Sequence, residues 1–156
     1  MRTFAIAVLL LFGAAAMPVA AQVTVSDAWV RATAPGQTVA GAYMKIKSSK
    51  TSTLVAVRTP VSKDAQLHEM SMDNGVMKMK PVARIELPAG KTVDLKPGGY
   101  HLMFMNIAKP LRKGDTVPIT LVVEGPDKKQ QQFEVKAEVR DMMAGAGGPM
   151  QMDRAK

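Results

Sequence analysis

Apolar and polar positions alternate with a period of two along most of this chain, the spacing of half-buried β-strands. Residues 23–31 (VTVSDAWVR) and 38–47 (TVAGAYMKIK) show it clearly, with Trp29, Tyr43 and Ile46 as core candidates. Shorter alternating runs follow at 54–58, 65–70, 76–80, 82–87 and 92–95. The most apolar run is 100–107, and 115–123 and 132–139 close the pattern. Turn residues punctuate the runs: Ala34-Pro35-Gly36-Gln37, Asp73-Asn74-Gly75, Pro88-Ala89-Gly90, Pro97-Gly98-Gly99 and Gly125-Pro126-Asp127. Asn-Gly between two alternating segments is a strong hairpin signal. About nine short strands with no long helical period predict an all-β sandwich or barrel.

The two ends break the pattern. Arg2 followed by the apolar run 4–16 and the small residues Ala20 and Ala21 reads as a signal peptide over 1–21. The run is short for a membrane span of roughly 20 residues, and Pro18 follows it. Export, to a periplasm, is the expectation, with no stable membrane insertion. Residues 22–140 then form one β domain of a size that can bury a proper core. Residues 141–156 (DMMAGAGGPMQMDRAK) are rich in Gly and Met without strand alternation and are expected to form a flexible tail.

Composition narrows the chemistry. The formal net charge is +8, but the lysines are scattered and lack interleaved aromatics, so nucleic acid is not an expected partner. A solvated basic face is the simpler account of the charge, with docking to an acidic partner or to an anionic membrane surface as the alternatives. With no cysteine, thiolate zinc sites, iron–sulfur clusters, thiol–disulfide catalysis and the cysteine-containing blue-copper centre are excluded.

The soft donors are concentrated. Both histidines and six of the thirteen methionines (Met70, Met72, Met77, Met79, Met103, Met105) lie between His68 and Met105. Imidazole nitrogen and thioether sulfur together favour Cu(I). On a strand over 100–107, His101 and Met103 share one face while Leu102 and Phe104 take the other and supply packing. A hairpin at Asn74-Gly75 brings His68 near the strand that carries Met77 and Met79. Each methionine taken singly is more simply a core filler; the joint pattern is what points to a metal. Met142, Met143, Met150 and Met152 leave two readings open: a second Cu(I)-capturing segment, or an incidental Met-rich end.

The residues also carry a resemblance. His68-x10-Met79-x21-His101-x-Met103, with LKPGGYHLMFM (95–105) and AWVRATAPGQTVAGAYMKI (28–46), resembles the PCuAC-type periplasmic copper chaperones across roughly residues 23–139. The chain departs from that pattern at Glu69, where the family often has Met. The resemblance implies a cupredoxin-like Greek-key β-fold that binds Cu(I) through His68, Met79, His101 and Met103. It further implies delivery of copper to the dinuclear centre of respiratory cytochrome oxidase or a related acceptor.

Other functions fare worse. A histidine-brace oxygenase needs an N-terminal His, and cleavage after Ala21 leaves Gln22. No motif places a Ser beside His68 or His101 for triad chemistry; no enzyme is expected. An electron-transfer cupredoxin needs the missing cysteine. An exported structural or adhesive β-sandwich fits fold and charge but leaves the His/Met pattern unused. The protein is expected to act as a monomer.

Overall fold

The computed structural model describes residues 22–141; the signal-peptide and tail expectations, apart from Asp141, lie outside the described residues. Ten strands are present: β1 (Val23–Arg31), β2 (Ala40–Ser48), β3 (Ser52–Arg58), β4 (Asp64–Asp73), β5 (Val76–Pro81), β6 (Ile85–Leu87), β7 (Thr92–Leu95), β8 (Tyr100–Met105), β9 (Thr116–Glu124) and β10 (Gln130–Arg140). They form one sheet in the order β5-β4-β8-β2-β1-β10-β9-β3-β6. β1 and β10 run parallel and the other pairs antiparallel. β2 is shared on one side, giving residues 40–42 to β8 and 44–47 to β7. The fold is all-β and cupredoxin-like.

One apolar cluster draws on every strand except β5. Residues far apart in the sheet order, such as Leu54 and Leu87 from one end and Leu67, Leu102 and Phe104 from the other, meet in it, so the sheet curls round a single core. The period of two sets the inward face: Leu102 and Phe104 on β8, and Val117, Ile119, Leu121 and Val123 on β9, are buried. Met44 is 1% exposed and belongs to this core.

The predicted segments shift at their ends for local reasons. Residues 82–84 do not pair as a strand, and only Ile85–Leu87 joins β3. Residues 65–70 lengthen into a ten-residue strand, because the type I′-like turn with positive φ at Asn74 (49°) and Gly75 (77°) lets pairing run up to it.

β5 has a different role from the other strands. All six of its residues are exposed, and it is an end strand of the sheet. The β4–β5 hairpin thus projects past the core, one face carrying the pairs Met70/Met79 and Met72/Met77. The other face carries ion pairs, Lys80 with Glu69 and Lys78 with Asp73.

Candidate metal centre

β4 and β8 pair with His68 opposite His101 and Gln66 opposite Met103. Cross-strand partners share a face at close approach. These four side chains therefore stand as two adjacent rungs, backed by the buried Leu67/Leu102 rung between them on the other face. The imidazole centroids are 5.8 Å apart, and both rings are largely buried. Met79 reaches the same place from β5, across β4.

His101 is fixed in one tautomer. Its Nδ1–H donates to the Gly99 carbonyl at 3.0 Å, which leaves Nε2 as the bare nitrogen. Nε2 faces the Met79 sulfur at 3.2 Å. In the neutral ring, two lone-pair donors confront each other with no hydrogen between them. A soft cation placed between them would satisfy both. A ring N–H held by a backbone carbonyl is also the usual support of a metal-binding histidine.

His68 is held differently. Its Nε2–H donates to Gln66 Oε1 at 2.9 Å, and Gln66 in turn donates to Asp64. Nδ1 is then the bare nitrogen, buried and without a hydrogen-bond partner. Burial, first, and the neighbouring His101, second, hold the His68 pKa below the ordinary 6.5, with Asp64 opposing them. The ring is thus neutral near pH 7, the form a metal requires.

A cavity of about 470 Å³ opens beside these donors, lined by His101, Met79 and Met103 together with Met70 and Met77. His68 is not in that lining and sits behind it on the β4 rung. Among the described residues no group of three or more His, Asp or Glu side chains could hold a metal ion. The site therefore offers two imidazoles and several thioethers and no clustered carboxylates, a set suited to Cu(I).

The concentration of donors between His68 and Met105 gave no sign of the opposite wall. Arg31, Gly41 and Tyr43 complete the cavity from β1 and β2. Tyr43 is buried, as expected, but on this face: its ring lies 4.5 Å from Trp29 and 6.3 Å from His101. Burial raises its pKa against the pull of Arg31, so the phenol stays protonated. Gly41 is the floor. A Cβ there would lie 2.7 Å from the Tyr43 hydroxyl. A glycine inside a strand marks such close approach, and that was the available signal.

Solved structures with this fold include two that carry copper in their descriptions. The copper-bound PCuAC domain from PmoF2 superposes with a TM-score of 0.62 at 25% identity, covering 76% of this chain and 92% of that one. CuI-DR1885 from Deinococcus radiodurans does so at 0.51 and 33%, covering 83% of each. A putative lipoprotein, Lxx21020, of Leifsonia xyli subsp. xyli (strain CTCB07) is 37% identical over 100 residues, 64% of this chain. The match spans about 60% of that relative's length. Residues 23–139 match the family described as putative lipoprotein LpqE-like, and the chain belongs to that family.

Proposed function

We propose that this protein is a periplasmic copper chaperone that binds Cu(I) through His68, Met79, His101 and Met103. In this reading it hands the ion to an acceptor such as the dinuclear copper centre of a respiratory oxidase. The observation that carries the reading is the 3.2 Å approach of His101 Nε2 to Met79 Sδ, with Nδ1 tied to Gly99. Its supports are the unpartnered Nδ1 of His68, the thioether of Met103 on the same cavity, and the copper carried by the PmoF2 PCuAC domain and by CuI-DR1885, both of like fold.

Copper is cargo here, and the protein's part is to present a neutral donor set. Thioethers and the neutral His68 ring need release no proton near pH 7, and the donor set holds no counter-charge against a monovalent ion. Exchange into a stronger thiolate site is then downhill.

The test is a Cu(I) titration of residues 22–156 against a competing chelator, beside His101→Ala. Tight uptake lost in the variant is expected; equal affinity in both would end the proposal for this site. Copper-loaded protein should also metallate an apo acceptor faster than free copper does. Failure there would leave copper binding without delivery. Complete absence of copper uptake would favour the structural or adhesive β-sandwich.

A further inference from the structure

The cavity beside the soft donors has one formally charged side chain in its lining, Arg31. A cation is an odd neighbour for a Cu(I) site, since it repels the ion it stands near. It is also not explained by an ion pair: among the described residues Arg31 forms none. Its Nε is buried and has no hydrogen-bond partner. The guanidinium instead lies 5.8 Å from the centre of the Tyr43 ring, which orients it without neutralising it.

Its position relative to the donors follows from register. Val30 pairs with Ala42, which sets Arg31 beside Gly41, and Gly41 pairs with Met103. Gly41 has no side chain, so the Tyr43 hydroxyl packs over it, 2.7 Å from where a Cβ would stand, and Arg31 and Met103 line one cavity from the strands on either side. Their backbones are two strand spacings apart, roughly 10 Å, and the shared cavity of about 470 Å³ is what admits an incoming side chain.

We propose that Arg31 receives the anionic ligand of the copper acceptor, and that this acceptor is a polypeptide presenting thiolates. This deepens the copper-transfer reading and rests on it. The chemistry selects the occupant. A thioether and imidazole site yields Cu(I) to a softer, charged donor, and thiolate is the protein side chain that fits. A cysteine of ordinary pKa is only a few per cent thiolate at about pH 7. A nearby guanidinium lowers that pKa and raises the attacking fraction. The half-exposed Met77 and Met79 form the apolar rim on the far side of the same cavity.

The step balances without redox change. Each acceptor thiol loses its proton to solvent. Cu–S bonds to the thiolates form as the bonds to imidazole and thioether break, and copper remains Cu(I) throughout.

The test uses a synthetic Cys-x-x-x-Cys peptide as acceptor, and a peptide with Met at both positions as the uncharged control. Arg31→Gln should bind Cu(I) as tightly as the wild type or more tightly, since a repelling charge is gone. It should transfer copper to the dithiol peptide about tenfold more slowly at low salt, with added salt narrowing the gap. Transfer to the Met peptide should not change. Arg31→Lys should recover part of the rate. Equal rates for Arg31→Gln and wild type, or equal slowing with both peptides, would overturn the inference. A copper-free arm separates it from the reading beneath it: the Arg31 Nε–H resonance should shift on titrating the metal-free protein with the dithiol peptide. No shift overturns the anion site even if copper binds; a shift in a protein that takes up no copper upholds the anion site and overturns the chaperone reading.

Discussion

Met79→Leu separates metal binding from folding more cleanly than any other change at the site. Met79 is 51% exposed on a strand that gives no residue to the core. Leu has nearly the same volume, and such swaps cost under about 1.5 kcal/mol even when fully buried. At a half-exposed edge position the cost should fall within about 0.5 kcal/mol. The other side of the ledger is large. Removing partners that merely support a metal ligand costs roughly 10–100-fold in affinity. Removing the sulfur that stands 3.2 Å from His101 Nε2 should cost at least the upper end, about 100-fold, or close to 2.7 kcal/mol. Urea unfolding of the metal-free proteins and chelator competition for Cu(I) measure the two quantities on the same samples. Matched stability with a hundredfold affinity loss is expected. Retention of affinity within about threefold would show that the His101–Met79 contact is not part of the copper site.

Met103→Leu should likewise preserve the fold, because β8 is anchored by the buried Leu102 and Phe104 on its other face, and weaken Cu(I) binding in the same titration; retained affinity would make Met103 a packing residue. The pH dependence follows from His68, whose folded-state pKa lies below the ordinary 6.5. The unfolded chain then binds more protons, so its contribution to stability is fully present above pH 6.5 and is lost as pH falls through the lower, folded-state value. Urea unfolding between about pH 7.5 and 5 should show that slope, and His68→Leu should flatten it; an unchanged slope would assign it elsewhere. Gly41→Ala forces a Cβ to 2.7 Å from the Tyr43 hydroxyl and 3.2 Å from Cζ, against a ring packed on Trp29. A loss of about 1–3 kcal/mol is expected in urea unfolding, and no loss would mean that the ring swings away freely. Truncation after Asp141 should leave Cu(I) stoichiometry unchanged, because the proposed donors are all in the β domain; a lower value would bring the Met-rich tail into the site.

The strands could be read from the alternation because burial on one face forces a period of two, and the clearest cases are Leu102 and Phe104 inside with His101 and Met103 on the other face. The Asn74-Gly75 turn could be read because positive φ at both positions suits those residues. Register could not. Nothing in the spacing of His68 and His101 says that they stand directly opposite each other, since that depends on which strand β8 chooses as neighbour. The exposure of β5 was also hidden, because Val76-Met77-Lys78-Met79 alternates like a core strand and only its end position leaves it open. The second wall was written in Gly41 and Tyr43, but a glycine in a strand signals close approach without naming what approaches. Gln66 was invisible for a similar reason: a polar residue two positions from a histidine becomes its hydrogen-bond partner only once both side chains share a face.

The division of labour between the two strands that carry the thioethers bears on how the proposed site would let go. Met103 rides on β8, whose Leu102 and Phe104 are completely buried, so moving its sulfur far means disturbing the core. Met79 rides on β5, outside the core cluster, where movement breaks edge pairing and little else. In the copper-transfer reading the sulfur on the outer strand is therefore the cheapest bond to exchange. His101 is the dearest, because its ring is 3% exposed and its Nδ1–H is tied to Gly99. An acceptor entering past Met79 would, in that reading, meet the guanidinium of Arg31, which lines the same cavity. In that reading the weak bond and the charge proposed to draw its replacement flank one opening, an arrangement that would favour handing copper on over keeping it.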